Sequence, residues 1–269
     1  MLACNLLKMN NKNPKCNLCL SEVRLIFKSK ILNKYDVSYF QCKKCKHIQT
    51  EHPYWLKEAY SSAIADADTG LLSRNLTLSK ISAGVIYFLF NKDSKHMDYA
   101  GGYGVFTRLM RDIGFDYYWE DLKSENVFAK NFEADKRTKF QVVTSFEFLE
   151  HVKDPLKEIK NIFNKYNNEA LLFSTMLYKE PLDKDWWYFA FGAGQHVSFY
   201  QLSTLRYIAN RLGLYLYSNG VNVHIMSKKP VSHIKFVLLS RFWFIFYFWV
   251  YLRMKSKTFA DHLMMINRK

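Results

Sequence analysis

Apolar positions follow two rhythms along this chain, and the changes between them outline its elements. Leu71 to Leu89 has helical apolar spacing with Ser, Ala and Gly at its small positions, and Trp55 through Ile64 carries the same spacing more briefly. Met97-Asp98-Tyr99 ends a short strand, AGGYG turns, and VFTRLMRDIGF reads as a helix with Val105, Leu109 and Ile113 on one side. FDYYWED predicts a second strand, FQVVTSF a third and EALLFSTM a fourth. Asp154-Pro155 opens a helix carrying Leu156, Ile159, Ile162 and Phe163; QLSTLRYIANRLG forms another, and LYLYSNGVNVHIMSKK reads as a closing hairpin. Strand and helix alternating from about 97 to 213 predict an α/β sheet with helices on both faces.

A different pattern precedes this region. All five cysteines fall within the first 45 residues, four of them as CNLC at 16–19 and CKKC at 42–45. Two CxxC turns bring Cys16, Cys19, Cys42 and Cys45 to the corners of a tetrahedron, the arrangement Zn²⁺ prefers. A closed thiolate shell leaves no position for water, so the ion is expected to hold the fold without performing chemistry. An iron–sulfur centre or unmetallated thiols are the alternatives, Cys4 reads as a spare, and His47 reads as a cap or surface residue. Ser38 to Gln41 predicts a short strand leading into the second pair.

Strand, glycine turn and helix form a nucleotide-type unit, in which backbone approaches a ligand at the helix N-terminus. Asp121, with Glu120 beside it, lies about twenty residues beyond the turn, where a carboxylate accepts both hydroxyls of a ribose. The glycines alone do not separate a nicotinamide cofactor from a methyl donor.

The ordered set DYAGGYG, YYWED, FQVVTSFEFLEHVKDPL and EALLFSTM resembles the class I S-adenosylmethionine-dependent methyltransferases over roughly residues 97–228. The cysteine pairs, the AYSSAI…DTG…RN segment and GQHVSFY extend the similarity to bacterial C-methyltransferase-like proteins with an N-terminal zinc motif, some acting on nucleotide-linked sugars. The resemblance implies a Rossmann-like sheet and S-adenosylmethionine as cofactor. Asp98, Gly102 and Gly104 then match the acid and the last two glycines of the first motif, Gly101 lies among them, and Ala100 departs from the first glycine. Asp121, ahead of Glu120, would hold the ribose, and Phe146, Glu147 and His151 would lie at the active-site edge; helix capping is the alternative for Glu150 and His151.

Methyl transfer chiefly needs positioning and a base. His196 leads for that role because its ordinary pKa lies near neutrality, and a structural histidine is the competing reading. Trp186, Trp187 and Tyr188 offer an aromatic wall for the acceptor and Gln195 a polar contact, against simple loop packing. Tyr60, Arg74 and Asn75 would line the entrance, against caps and turns joining two helices.

The expected organisation is a zinc-binding module at 1–50, a helical bridge at 51–92, the methyltransferase domain at 93–230 and an aromatic, basic helical tail at 231–269. Phe242 to Leu252 is unbroken by polar residues but too short for a membrane span. Packing on its own domain, a homodimer contact and peripheral contact with an anionic membrane are the readings of the tail. With 39 Lys and Arg against 24 Asp and Glu, the net charge of +15 favours an anionic or nucleotide-linked small acceptor. No nucleic-acid-reading motif accompanies it, which disfavours nucleic acid. The start of the chain lacks a secretory pattern, so the expected location is cytoplasmic, at the inner membrane face if the tail binds lipid. A zinc-module nucleic-acid binder and a nicotinamide-dependent oxidoreductase are the competing functions.

Overall fold

A computed structural model describes residues 14–61, 68–135 and 137–267. Cys4 and the end of the helix expected to reach Ile64 lie outside the described residues.

Val142–Ser145 (VVTS) and Ala170–Ser174 (ALLFS) are buried at every position, as strands covered on both faces must be. They form the middle of a six-stranded sheet. We number its strands with the rest of the chain: β1 (Val23–Ile31), β2 (Tyr35–Cys42), β3 (Ile48–Thr50), β4 (Lys95–Tyr99), β5 (Asp116–Glu120), β6 (Val142–Ser145), β7 (Ala170–Ser174), β8 (Ser198–Phe199), β9 (Tyr215–Ser218) and β10 (Val223–Ser227). The large sheet has the order β5-β4-β6-β7-β10-β9, with β5, β4, β6 and β7 parallel and the expected hairpin β9–β10 antiparallel at the far end. The helices are α1 (Leu56–Ala59), α2 (Leu71–Leu89), α3 (Val105–Ile113), α4 (Pro155–Tyr166), α5 (Leu202–Leu212), α6 (His233–Arg241), α7 (Trp243–Arg253) and α8 (Thr258–Ile266).

One core lies between the sheet and α4 and α5, and it includes Cys16, Cys42 and Cys45. The other lies under α2, α3, α6 and α7. The α2 helix begins and ends where its apolar spacing predicts, and α4 is capped by the Asp154 side chain, which accepts from the Lys157 amide. The buried stripe of α3 is Phe106, Met110 and Ile113, whereas Val105 and Leu109 of the expected face are only half-buried. The turn sets this phase, since Gly104 caps the helix in a left-handed conformation and the first inward residue is then Phe106.

The cysteine region is less separate than its sequence suggests. Its sheet runs β1-β2-β3-β8, and its last strand comes from the far side of the methyltransferase-like region. Ile48 pairs with Phe199, and the Thr50 amide donates to the Val197 carbonyl. His47, expected at the surface, is buried against Tyr200 because β3 is covered on both sides.

The tail packs its inner face on α2. Phe246 and Leu239 lie over Gly84, where a Cβ would stand in ordinary contact at 3.5 and 3.7 Å. A buried ion pair fixes the far end: Asp261 of α8 takes two hydrogen bonds from Arg111 of α3, at 2.8 and 2.7 Å, and lies 2.9 Å from Arg108. The outer face of α7 leaves Phe244, Phe248 and Tyr251 exposed. Among the described residues no single helix is long and apolar enough to cross a membrane, and α6 and α7 meet at 91°.

Candidate active site

The parallel strands β4, β5 and β6 end on the same edge of the sheet, and the loops that follow them carry most of the expected residues. After β4, Ala100 and Gly102 both take left-handed backbone, at φ 58° and 53°. At Gly101 a Cβ would stand 2.7 Å from the Asp98 carboxylate and 2.8 Å from Trp119, so this position is closed inward. At Gly102 a Cβ would meet nothing within 4 Å, so the turn presents bare backbone to open space. The Trp119 indole holds the turn by donating to the Gly102 carbonyl at 2.9 Å.

Asp98 lies beneath this turn, buried, and accepts from the Thr144 hydroxyl at 2.8 Å. Burial pushes its carboxyl up to about 8, and nearby Asp121 adds to the shift. Asp121 accepts from the Gly102 amide at 3.0 Å and from the Lys123 and Ser124 amides at 2.7 and 2.9 Å. Of the two adjacent acids, Asp121 is therefore the one at the glycine turn. Strand alternation sends Glu120 the other way, where it pairs with Lys165 of α4. Phe146, after β6, stacks edge-on against Phe106 at 4.9 Å.

Glu147 follows at φ 49°, and its side chain accepts from the Ser174 hydroxyl at 2.6 Å and approaches Arg74 at 3.9 Å. Arg74 also pairs with Asp68 at 2.7 Å. Glu150 is buried; one carboxylate oxygen accepts from the Tyr188 hydroxyl at 2.7 Å and the other has no partner among the described residues. Burial, with Glu147 beside it, pushes the Glu150 carboxyl up to about 8. His151 Nδ1 lies 2.9 Å from the Tyr60 hydroxyl, and its ring meets that of His196 edge-on at 4.8 Å. His196 Nδ1 donates to the Tyr188 carbonyl at 2.6 Å, which leaves Nε2 as its free lone pair. Burial lowers His196 to about 4 and holds His151 well below the ordinary imidazole value, so both rings are neutral at pH 7.

The remaining expected residues divide. Tyr60 reaches this group, with Lys123 over its ring at 3.9 Å. Asn75 bonds back to the Leu71 carbonyl of its own helix. The Gln195 amide is spent on the Ala59 carbonyl at 2.8 Å. Tyr188 is a core residue that supports Glu150, which corrects its expected place in an acceptor wall; Trp186 packs half-buried against it, and Trp187 alone stands in solvent. Glu150 is the residue that sequence reasoning undervalued. Its signal was an acid beside a histidine, three positions after another acid.

The late strand β8 positions this cluster. The Val197 amide donates to the Glu150 carbonyl at 2.8 Å, and the Trp55 indole holds the Gly194 carbonyl at the same distance. At the other end of the small sheet, the four cysteine sulfurs lie within 4.8 Å of one another, with Cys16–Cys45 and Cys19–Cys42 at 3.5 and 3.4 Å. Tetrahedral Zn–S bonds of about 2.3 Å put sulfurs about 3.8 Å apart, so this donor set fits a structural metal ion.

A family model described as a methyltransferase domain matches residues 74–219, more than half of the chain and all of the loops after β4, β5 and β6. The chain belongs to this methyltransferase-domain family. No curated protein matches it. Among solved structures, TnmH is 14% identical with a TM-score of 0.48, the alignment covering 65% of this chain and 61% of TnmH. An O-methyltransferase family protein from Burkholderia thailandensis is 15% identical with a TM-score of 0.47, covering 65% and 68%. Magnesium protoporphyrin IX methyltransferase from Synechocystis PCC 6803, with bound SAH, is 14% identical with a TM-score of 0.40, covering 64% and 90%. The chain therefore spans less than two thirds of the length of TnmH.

Proposed function

We propose that the protein transfers a methyl group from S-adenosylmethionine to a small acceptor at the loop edge of β4 and β6. The observation that carries this reading is the open backbone at Gly102 beside the Asp121 carboxylate, inside the matched methyltransferase domain. When bound, the cofactor would supply a sulfonium-activated methyl group, whose carbon an acceptor lone pair attacks in line while the C–S bond breaks and S-adenosylhomocysteine leaves. Asp121 would exchange its loop amides for the ribose hydroxyls. Gly102 would let the backbone approach the methionine half, with Asp98 beneath the turn.

On the acceptor side, Glu147, Glu150, His151 and His196 line one corner, with Arg74 and Lys123 as nearby cations. His196 Nε2 is the lone pair available to receive the proton an acceptor sheds as it bonds to carbon. With a net charge of +15, the favoured acceptor is anionic, and a nucleotide-linked sugar or a surface-glycan precursor fits that chemistry. The same proposal gives Zn²⁺ to Cys16, Cys19, Cys42 and Cys45, where it stiffens the small sheet that ends at His196.

Titration calorimetry with S-adenosylmethionine, S-adenosylhomocysteine and NAD tests the reading. Binding of the first two, weakened in Asp121→Asn, supports it. Binding of NAD alone overturns it.

A further inference from the structure

The loop after β6 and the loop before β8 place three donor groups around one point. Ligating atoms of Glu150, His151 and His196 lie within 4.8 Å of one another. We propose that these three residues bind a divalent first-row transition-metal ion, whose open positions take oxygen atoms of the acceptor. The inference rests on the reading of this corner as the acceptor side and deepens it: the nucleophile becomes an oxygen, and since Nδ1 of His196 is held by the Tyr188 carbonyl, its Nε2 would coordinate the ion instead of receiving the acceptor's proton, which the metal-bound oxygen would release to solvent.

Three observations support it independently of any shift in titration. Among the described residues the second oxygen of Glu150 is buried with no hydrogen-bond partner, a costly arrangement for a carboxylate that a cation would relieve. One imidazole is oriented by backbone: His196 Nδ1 donates to the Tyr188 carbonyl at 2.6 Å. Metal-bound histidines are held in this way, one nitrogen on the ion and the other on a carbonyl or carboxylate. The other Glu150 oxygen is likewise fixed by the Tyr188 hydroxyl. On His151 the Tyr60 hydroxyl sits 2.9 Å from Nδ1, so coordination through Nε2 would keep it as the orienting partner.

Two imidazoles and one carboxylate select manganese, iron, cobalt or zinc over calcium, and three protein ligands leave positions open. This sets the site apart from the cysteine cluster, whose four thiolates would close the shell. Glu147, three residues before Glu150 and bonded to Ser174, stands next to the site as a further negative charge.

The test uses full-length protein with its cysteine site loaded with zinc. Mn²⁺ is the probe, because thiolates bind it poorly, and electron paramagnetic resonance reads free Mn²⁺ directly. One equivalent should bind to the parent, and Glu150→Gln should bind about 100-fold more weakly or worse. If that variant fails to fold, His196→Gln carries the same comparison. No Mn²⁺ bound by the parent, or binding unchanged in the variants, overturns the inference. S-adenosylmethionine affinity is measured on the same samples by calorimetry. Its retention without Mn²⁺ binding refutes the metal site alone, and its absence refutes the methyl-transfer reading.

Discussion

Replacing Gly102 by alanine separates the role of the glycine turn in binding from its role in folding. At φ 53° an alanine pays about 1 kcal/mol for left-handed backbone, offset by the about 0.5–1 kcal/mol that losing a glycine removes from the unfolded chain's freedom. The net change is about 0–0.5 kcal/mol, a fall in Tm of about a degree or two at most. The new methyl group meets no protein atom within 4 Å, so the protein itself gives no steric reason for a larger loss. It would stand where the proposed reading puts the cofactor, and affinity for S-adenosylmethionine should fall at least about tenfold, or ~1.4 kcal/mol. Gly101→Ala should behave oppositely. Its Cβ would stand 2.7 Å from Asp98 and 2.8 Å from Trp119, and such overpacking costs about 1–3 kcal/mol of stability whether or not ligand is present. Ala100→Gly at φ 58° should relieve strain and keep affinity. Calorimetry and thermal melting on the three variants give the comparison; Gly102→Ala binding the cofactor as tightly as the parent would refute the reasoning.

Three further outcomes follow from buried groups. Burial raises the folded-state pKa of Asp98 to about 8, above its unfolded value, so its contribution is complete below about pH 4 and is lost as pH rises toward 8. Asp98→Asn should therefore gain on the parent in unfolding free energy across that window, by at most about 1.4 kcal/mol per pH unit, and a constant difference in denaturant melts would contradict the assignment. At Asp261 burial acts upward, but the Arg111 and Arg108 bonds outweigh it and hold the carboxyl below its ordinary value. Its stabilisation is present above about pH 4 and disappears as pH falls through the folded value; Asp261→Asn should lose roughly 2–4 kcal/mol at pH 7 and show a weaker acid transition in denaturant melts. Chelation of the cysteine site should release about one zinc per chain and lower methyl transfer more than cofactor affinity, because β8 ends beside His196; equal losses would sever that link.

The elements around the glycine turn were legible because local signals agree there: the Asp98 strand, the glycines, the amphipathic α3 and the acid near 121 follow one another within 25 residues. Legibility stopped where remote partners decide. β8 is two residues long and is a strand only because β3 lies beside it. Arg111 reads as a surface residue of α3 until Asp261, 150 positions later, reaches it. Glu120 and Asp121 are neighbours in sequence, and only the pleat sends one to Lys165 and the other to Gly102. Tyr188 and Gln195 looked available for substrate, but Glu150 and the Ala59 carbonyl claim their polar atoms.

The edge that β8 supplies to the cysteine sheet also bears on biosynthesis. The first three strands leave the ribosome early, yet their fourth partner is made some 150 residues later, and such a pairing closes only after the large sheet exists to hold it. During that interval β3 has an unpaired flank. An unpaired strand flank of that kind is a template for aggregation, and the pairing that covers it also anchors the loop carrying His196.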